Sequence, residues 1–312
     1  MSDWLKVFAP ATVANVGPGY DVLGLALDSP GDWVEAMRTE QRGVQIVEIT
    51  GDDGRLPRVA ALNCAGVSAR LVQEKIDPAA GVALKVHKGM PIGSGLGSSS
   101  ASSVAAAWAT NLALGGALSK VDVLDACRAG EKLATGAPHA DNVLPSLIGG
   151  ITLIRSYEPF DYLELPTPLE LRFAIVSPEL EIKTADARKI LPERVPMEDV
   201  VRNLGNVAAL VAALYEGRLD LFGRALDDFV VVPYRSRLIQ RYDDVHAAAM
   251  DAGALGCSIS GSGPAMFAAC TEETAEVVAA ALVDGFQRSG IGAKSFIAGI
   301  NTRGVRLVDE VE

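Results

Sequence analysis

The sequence predicts an α+β protein organised as two domains, on three observations. The chain has 312 residues, which is about twice the usual size of one domain. Its amino-terminal part contains strand-like segments at Lys6–Pro10, Val34–Met37 and Val44–Thr50, where residue types suit a strand or alternate with its period of two. Beyond residue 166, strand-like and helix-like segments alternate, as they do in α+β folds.

The rest of the first domain also alternates between helical and strand-like patterns. The predicted elements are a helix at Asn63–Lys75, a strand at Val82–His87, and helices at Ser99–Leu114 and Val121–Ala134. Pro159, Pro166 and Pro168 then interrupt a polar and aromatic stretch that is typical of a connection between domains. We therefore place the domain boundary near Pro166, which gives domains at 1–166 and 167–312.

The second domain is predicted to contain four strands and four helices. The strands are Leu171–Val176, Cys257–Ser260, Ala265–Cys270 and Lys294–Ile300, and the helices are Met197–Glu216, Arg218–Asp228, Tyr242–Ala252 and Glu273–Ser289. We interpret the aromatic and methionine positions as core.

Composition and charge argue against several classes of partner. The formal net charge is −11 at pH 7, which disfavours nucleic acid or an anionic membrane. No run of about 18 apolar residues and no basic-then-apolar segment at the amino end is visible, so we expect a cytoplasmic protein. The cysteines lie far apart in apolar stretches and predict buried free thiols rather than disulfides or a zinc site. They are Cys64, Cys127, Cys257 and Cys270.

A loop rich in glycine and serine precedes the predicted Ser99–Leu114 helix. Gly93, Gly95 and Gly97 occupy alternate positions, and serines follow them. Glycines allow the backbone to approach a ligand closely, and the free N–H groups of a helix's first turn attract an anion. The loop lacks the lysine of the Walker A pattern, and Ser98 replaces the last glycine of the dinucleotide pattern. It therefore predicts a phosphate site of another kind, with a flexible turn capped by serine as the alternative.

Three segments resemble the motifs of the GHMP kinase family, which is named for galactokinase, homoserine kinase, mevalonate kinase and phosphomevalonate kinase. Residues 91–101 match the phosphate loop of that family, P-x-x-x-G-L-G-S-S-x-A. Residues 10–21, PATVANVGPGYD, resemble its amino-terminal motif, and residues 258–265, SISGSGPA, resemble its carboxyl-terminal motif. The three occur in the family's order and span most of the chain.

Further segments resemble the homoserine kinase branch of the family, namely residues 130–131, 136–142, 183–188 and 232–235. The resemblance implies a GHMP kinase fold, with a β-rich amino-terminal domain containing a left-handed βαβ crossover and a ferredoxin-like carboxyl-terminal domain. It also implies ATP and Mg²⁺ as cofactors, L-homoserine as the small-molecule substrate, and a homodimer.

The resemblance also implies roles for residues on the nucleotide side. Ser99 and Glu131 are expected to hold the metal, although Glu131 taken alone is typical of a solvated helix charge. Asn63 is a candidate for contact with the adenine and equally for an N-cap. The predicted ATP contacts in the loop are Pro91, Ile92, Gly93, Ser94, Gly95, Leu96, Gly97, Ser98, Ser99, Ser100 and Ala101.

An amino-acid substrate needs a receptor for its carboxylate and an acceptor for its ammonium group. Arg188 and Arg235 are the candidates for the carboxylate. Asp21 is the candidate for the ammonium or the reacting hydroxyl. A hydrogen-bonding spacer is the alternative for His139, and a tight turn is the alternative for residues 258–265. The predicted substrate contacts are Asn15, Asp21, His139, Arg188, Arg235 and Gly261.

The predicted catalytic positions are Asp21, Asn142, Ser99 and Glu131. Asn142 stands where mevalonate kinase-like relatives carry a proposed base aspartate, with Asp141 one residue earlier. Because an amide cannot accept a proton, either another carboxylate such as Asp21 serves or the hydroxyl proton passes to a phosphate oxygen. We expect the second route.

Two other functions stay open. One is another GHMP small-molecule kinase of the mevalonate type, which should carry a basic cluster for a second phosphate where this chain offers two arginines. The other is a non-catalytic metabolite sensor with the same fold, which should have lost Ser99 or Glu131. A serine hydrolase is disfavoured because the chain has no G-x-S-x-G motif.

Overall fold

The computed structural model describes residues 4–167 and 170–308, and their strands form two sheets. The strands are β1 (Leu5–Ala14), β2 (Leu23–Thr39), β3 (Gly43–Thr50), β4 (Gly81–His87), β5 (Ile151–Tyr157), β6 (Phe160–Leu165), β7 (Arg172–Pro178), β8 (Gly256–Ile259), β9 (Met266–Cys270), β10 (Ala293–Ala298) and β11 (Arg306–Leu307).

The helices connect these strands and cover the sheets. They are α1 (Cys64–Ile76), α2 (Ser98–Ala113), α3 (Leu124–Thr135), α4 (Val143–Ile148), α5 (Thr184–Lys189), α6 (Met197–Glu216), α7 (Leu219–Arg224), α8 (Val232–Arg235), α9 (Tyr242–Asp251) and α10 (Ala275–Gln287). Short 3₁₀ turns occur at Ala60–Leu62, Val121–Val123 and Ser236–Leu238.

The first sheet has the strand order β11-β1-β2-β4-β3, with β5 added to β2 and β6 added to β5. Strands β3 and β4 are parallel and are joined through α1, which forms the expected βαβ unit. Strand β11 is antiparallel to β1, with Val7 opposite Leu307. The chain therefore returns to its first strand after completing the second sheet.

The second sheet has the order β10-β7-β9-β8, and its strand pairs are antiparallel. Helices α5 to α9 lie between β7 and β8 in sequence, and α10 lies between β9 and β10. This βαββαβ arrangement, with the first strand between the fourth and the third, is ferredoxin-like. The predicted α+β class is confirmed.

Both faces of the second sheet are buried. Phe173 and Phe267 belong to the large core that also contains the inner residues of the first sheet. Their neighbours Ala174 and Met266 belong to a second core beneath α9 and α10. The alternation follows from the period of two along a strand. The domain division at residue 166 stays a prediction, because the two sheets share one core.

Two sequence expectations differ from the structure. The helix expected at Arg218–Asp228 ends at Arg224, because the Asp228 carboxylate accepts hydrogen bonds from the N–H groups that open α8. The stretch around Pro159, expected to be a connection, instead forms the turn of the β5–β6 hairpin. Pro168, named in the same expectation, lies outside the described residues.

The expectation that methionine and aromatic positions are core is also wrong in α6. Met197 is 74% exposed and Tyr215 is 66% exposed. Sequence periodicity places apolar residues on a helix face but does not say whether a neighbouring element covers that face.

All four cysteines are free, and three of them are buried while Cys64 is half-buried. Among the described residues, no helix is both long enough and apolar enough to cross a membrane.

Candidate active site

A cavity of about 460 Å³ lies between the loop that precedes α2 and segments contributed by both sheets. Most of the predicted site residues line it. These are Asn15, Asp21, Asn63, Ile92, Gly93, Ser94, Gly95, Gly97, Ser98, Ser99, Glu131, His139, Asn142, Arg188, Arg235 and Gly261.

Four predicted ATP contacts do not line the cavity. Leu96 and Ala101 are fully buried in the hydrophobic core, where they anchor the loop and the helix. The Ser100 hydroxyl faces Glu131 instead of the cavity, and Pro91 is exposed. The family motif therefore includes structural residues as well as residues that can face a ligand.

The amino end of α2 is prepared to receive an anion. Gly97 caps the helix in a left-handed conformation, with φ of 67°, and offers no side chain to the first-turn N–H groups. The buried hydroxyls of Ser94 and Ser98 have no hydrogen-bond partner among the described residues. Unsatisfied donors at a helix amino end suit the phosphates of a nucleotide, so the residues present fit ATP.

Two of the loop glycines are required by close contacts. A Cβ at Gly97 would collide with the Thr12 hydroxyl, and a Cβ at Gly95 would lie 2.6 Å from the Ser260 carbonyl oxygen. Both residues also have positive φ, which disfavours any other residue type.

The three sequence motifs meet at this loop. The Ser260 hydroxyl donates to the Gly95 carbonyl at 2.8 Å, and the Gly261 N–H donates to the Ala14 carbonyl at 3.2 Å. The Asn15 amide donates to the Gly261 carbonyl at 3.0 Å. Residues 258–265 thus link the phosphate loop to the amino-terminal motif, which is more than the tight turn considered as the alternative.

A buried ion pair closes the base of the phosphate loop. The Lys88 ammonium contacts the Asp32 carboxylate and also donates to the Ser98 carbonyl at 2.9 Å and the Ser102 hydroxyl at 2.6 Å. Asp32 in turn accepts from the Gly89 N–H at 3.0 Å. Lys88 and Ser98 are the two ends of the loop, so the pair fixes the distance between them. Both charged residues were missed in the sequence analysis. For Lys88, its position just before the glycines was the one available signal, and Asp32 had none.

Glu131 in α3 faces the amino end of α2. It is 5% exposed, and its carboxylate accepts hydrogen bonds at 2.8 Å from Ser99 and from Ser100. Burial raises the pKa of the Glu131 carboxyl, and the serine hydroxyls partly offset this. Glu131 is therefore not a solvated helix charge. Neighbouring oxygens around an octahedral Mg²⁺ lie about 3 Å apart, so Ser99 and Glu131 fit a magnesium site.

Asn63 caps α1, as one of its two sequence interpretations proposed. Its side-chain oxygen accepts from the Ala65 N–H at 3.0 Å, and its amide donates to the Pro57 carbonyl at 2.9 Å. Asn63 also lines the cavity beside Leu62 and Cys64. Its contact with adenine stays a prediction.

The opposite end of the cavity carries paired charges. The Arg188 guanidinium donates to both carboxylate oxygens of Asp21, each at 3.1 Å. His139 Nδ1 lies 3.7 Å from the same carboxylate, and burial lowers the pKa of His139. The groups expected to contact opposite ends of a substrate thus contact each other.

Arg235 is almost completely buried, at 3% exposure, yet it lines the cavity. Its guanidinium donates to the Gly261 carbonyl at 2.8 Å and the Ala187 carbonyl at 3.2 Å, and it lies over the Tyr20 ring. Burial lowers the pKa of Arg235. No carboxylate is paired with it among the described residues, which suits a receptor for an incoming anion.

Asn142 and Asp141 lie side by side on the cavity wall. The Asn142 side-chain oxygen accepts from the Thr12 hydroxyl at 2.7 Å, which occupies its acceptor. Asp141 is 5% exposed, and burial together with the nearby Asp21 and Glu131 carboxylates raises its pKa to about 7. Asp141 was named in the sequence only as the neighbour of Asn142, because burial cannot be read from a loop.

The loop between β1 and β2 has a strained backbone. Asn15, Val16 and Asp21 have φ of 69°, 45° and 58°, a region that residues other than glycine rarely adopt. The Tyr157 hydroxyl holds this loop by donating to the Asp21 carbonyl at 2.8 Å. It also accepts from the Ala140 N–H at 3.3 Å, so Tyr157 links the Asp21 loop to the segment that carries His139 and Asp141.

More basic residues line the cavity than the two arginines that the sequence analysis named. Lys88 and Lys183 line the cavity in addition to the two arginines. Lys88 is neutralised by Asp32, so it adds little free positive charge.

Comparison with known proteins agrees with this geometry. Two family models match the chain, GHMP kinases N terminal domain at residues 63–150 and GHMP kinases C terminal at residues 210–287. These matches cover α1 to α4 with the phosphate loop, and the end of α6 through α10 with the carboxyl-terminal motif. Fold and site therefore define a small-molecule kinase of this class, which uses ATP.

Similarity to individual proteins narrows the class. The homoserine kinase of Chlorobium phaeobacteroides (strain DSM 266) is 43% identical over 90% of this chain and 92% of that protein. The homoserine kinase of Methanococcus maripaludis (strain S2) is 44% identical over 84% of this chain and 86% of that protein. The chain belongs to the GHMP kinase family, in its homoserine kinase branch.

Solved structures agree. The crystal structure of homoserine kinase from Cytophaga hutchinsonii has a TM-score of 0.95 and 46% identity, covering 99% of this chain and 98% of that one. The structure of L. major mevalonate kinase in complex with R-mevalonate has a TM-score of 0.70 at 16% identity, covering 95% of this chain and 96% of that one, and shows the shared fold alone.

Proposed function

We propose that this chain transfers the γ-phosphoryl group of ATP to the side-chain hydroxyl of L-homoserine and forms O-phospho-L-homoserine. The observation that carries this proposal is a single cavity with two chemically different ends. Backbone N–H groups and hydroxyls line one end, and Asp21, Arg188 and Arg235 line the other. The homoserine kinase names of the relatives support the choice of acceptor.

The phosphate end acts through fixed donors. The N–H groups of the first turn of α2 and the hydroxyls of Ser94 and Ser98 are proposed to bind the phosphates, at no cost of reorganisation because the loop is already held by Lys88. Ser99 and Glu131 are proposed to hold Mg²⁺. When bound, this ion would neutralise charge on the phosphates.

The acceptor end suits a zwitterion. The guanidinium of Arg235 uses two of its five donors on carbonyls, so the remaining donors can bind the α-carboxylate of the substrate. Asp21 is proposed to bind the α-ammonium. Because Arg188 already neutralises Asp21, a zwitterion adds no net charge to the pair.

Asp141 is proposed to accept the proton of the substrate hydroxyl. Its pKa of about 7 makes it partly ionised at neutral pH, where a proton acceptor works best. Asn142 cannot take this role, and Asp21 is held by Arg188. Asp141→Asn should lower kcat by about 100-fold or more, whereas activity near the wild-type level would favour proton transfer to a phosphate oxygen.

We also propose a cytoplasmic homodimer that does not bind nucleic acid. The net charge of −11 supports the last part, because it would repel phosphate backbones.

The test is release of ADP from Mg-ATP by the purified chain, with L-homoserine, mevalonate, galactose or no acceptor. L-2-Aminobutyrate, which lacks the reacting hydroxyl, serves as a matched control. Release that depends on L-homoserine, with phosphohomoserine detected by mass spectrometry, is the expected result. Release with mevalonate alone would favour a mevalonate-type kinase, and binding without release would favour a metabolite sensor.

A further inference from the structure

One of the lysine and arginine side chains that line the cavity has no role in the site described above. The four that line it are Lys88, Lys183, Arg188 and Arg235. Lys88 is paired with Asp32 and Arg188 with Asp21, and Arg235 is proposed to receive the substrate carboxylate. Lys183 has no ion pair and no side-chain hydrogen bond within residues 4–167 and 170–308.

The two carboxylates that flank Lys183 in sequence are already paired with other residues. Arg55 donates to both carboxylate oxygens of Glu181, at 2.8 and 2.9 Å, and Asp186 pairs with Lys189 at 3.4 Å. Neither carboxylate can neutralise Lys183 without losing its own partner. Lys183 is therefore an exposed, unpaired ammonium on the cavity wall, and such a group binds phosphate oxygens as a point charge.

The backbone directs Lys183 toward the cavity. Lys183 precedes α5 in an extended conformation, with φ of −71° and ψ of 130°, and adjacent side chains on an extended backbone point in opposite directions. Its neighbour Ile182 is buried in the core beneath α9 and α10. Lys183 therefore points away from that core and toward the cavity that it lines.

The segment that carries Lys183 runs from the phosphate end of the cavity to the acceptor end. Two residues earlier, Glu181 packs against the phosphate loop, where a Cβ at Gly93 would lie 3.0 Å from the Glu181 side chain. One residue later, the Thr184 hydroxyl lies 3.4 Å from the hydroxyl of Ser262 in the carboxyl-terminal motif. Lys183 thus lies where the two ends meet, and a phosphoryl group that passes from donor to acceptor must cross this point.

We propose that the Lys183 ammonium binds the γ-phosphoryl oxygens of ATP and stays with that group during its transfer. The inference rests on the proposed function, because it adds a residue to the same reaction. In the transfer, the bond between the γ-phosphorus and the oxygen shared with the β-phosphate breaks, and that oxygen keeps the electron pair. A bond between the γ-phosphorus and the substrate hydroxyl oxygen forms, and the hydroxyl proton passes to Asp141. Lys183 keeps its own proton and balances charge on the moving group.

The substrate carboxylate is the other anion that an ammonium at this place could bind. Arg235 is the better receptor for that carboxylate, because it is 3% exposed and two carbonyl oxygens hold it in place. Lys183 is exposed and has a flexible four-carbon stem. A fixed charge suits an anion that stays in place, whereas a mobile charge suits a group that moves from one oxygen to another.

The first experiment compares two nucleotides in the absence of an acceptor. Isothermal titration calorimetry with Mg²⁺ measures the Kd of the β,γ-imido analogue of ATP and the Kd of ADP. Because ADP lacks a γ-phosphoryl group, Lys183→Met should raise the Kd of the analogue about 10-fold or more and that of ADP less than about twofold. Circular dichroism checks folding, and Lys183→Gln replaces Lys183→Met if that variant fails to fold.

Lys189→Met is the matched control. It removes the same charge from the same segment, and the Lys189 side chain is 79% exposed and outside the cavity lining. Both Kd values should therefore stay at the wild-type level in this variant. Lys183→Arg keeps a positive charge at the position itself and should recover most of the affinity for the analogue that Lys183→Met loses.

The second experiment measures steady-state kinetics with L-homoserine. Lys183→Met should lower kcat by about 10- to 100-fold and leave the KM for L-homoserine nearly unchanged, because the lost contact is to the transferred group. A kcat at the wild-type level would overturn the part of Lys183 in the transfer.

The outcomes separate this inference from the proposed function. An equal rise in both Kd values, or no rise in either, would overturn the contact with the γ-phosphoryl group. A raised KM for L-homoserine with unchanged nucleotide binding would also overturn it and would assign Lys183 to the substrate carboxylate. A wild-type chain without homoserine-dependent ADP release would overturn the proposed function, whereas the two Kd values test the Lys183 contact without any acceptor.

Discussion

The two ends of the cavity are built in different ways. At the phosphate end, most of the contacts come from one continuous segment, residues 93–99, and the groups that this segment presents to the cavity are backbone N–H donors and neutral hydroxyls. At the acceptor end, Asp21, Arg188 and Arg235 come from three distant parts of the chain and carry full charges. The phosphate end holds unsatisfied donors, whereas Asp21 and Arg188 satisfy each other.

This difference has a physical reason. A phosphate chain can be bound by a rigid array of weak dipoles, which one helix start can supply. A small zwitterion needs separate receptors for opposite charges, and two of these receptors, Asp21 and Arg188, neutralise each other here. Substitutions at the two ends should therefore have different effects.

The largest effect is expected at the phosphate end, from Glu131→Gln. The change keeps the shape of the side chain but removes the charge proposed to hold magnesium, so kcat should fall by about 1,000-fold or more. Asp125→Asn is the matched control, because Asp125 lies on the same helix with its side chain 91% exposed and should leave kcat unchanged. Turnover retained in Glu131→Gln would contradict the proposed role of Glu131 in holding magnesium. It would also contradict the expected difference between the two ends of the cavity.

The next effect is on stability. Lys88→Met should lower the free energy of unfolding by about 3–5 kcal/mol, because it leaves Asp32 buried without its partner. The double variant Lys88→Met/Asp32→Asn should recover much of this loss. Lys85→Met, three residues earlier in β4, removes a more exposed pair with Glu35 and should cost less than about 1 kcal/mol. Urea unfolding measures the free energy of unfolding of all three variants. Equal losses in Lys88→Met and Lys85→Met would contradict a stabilising role for the buried ion pair at the base of the loop.

At the acceptor end, Arg235→Leu should raise the KM for L-homoserine by about 100-fold and change the KM for ATP little, because it removes a charged hydrogen-bond receptor for one substrate. Arg237→Leu, at an exposed position two residues later, is the control. Steady-state kinetics with each substrate varied in turn separates the two constants. Equal increases in both would show that the ends are not independent.

The smallest effect is the pH dependence from Asp141. Its pKa is near 3.8 when unfolded and about 7 in the fold, so it favours folding at acidic pH and this contribution is lost as pH rises to 7. Between pH 6 and pH 7 the loss is about 1 kcal/mol. Asp141→Asn should remove this slope and be relatively more stable at pH 8 than at pH 6. A wild-type slope unchanged in the variant would mean that Asp141 titrates normally.

The sequence allowed the phosphate end to be predicted more fully than the acceptor end. The loop is contiguous, and its glycines and helix start carry the chemistry in their own order. The residues of the acceptor end were also named, but their mutual contacts were not. The pairing of Asp21 with Arg188 and the burial of Asp141 depend on how β2, α4 and α5 pack, which no local pattern encodes.

In the fold, too, elements set by local patterns were predicted and elements set by particular side-chain contacts or turns were missed. Long periodic segments such as α6 and α10 were predicted closely, because their apolar spacing is local. The β5–β6 hairpin was missed because Pro159 was interpreted as part of a connection when it lies in the turn. The break before α8 was missed because it depends on one side chain, Asp228, that binds the backbone of the following turn.

The pairing of β11 with β1 has a consequence for how the protein is made. Strand β1 leaves the ribosome long before its partner at residues 306–307, because most of the two domains separates them in the chain. One edge of β1 therefore stays without its partner strand until residues 306–307 are synthesised, and an open strand edge is prone to pair with another chain. We expect the first sheet to reach its final form only after residues 306–307 have emerged, and its assembly to depend on protection of that edge until then.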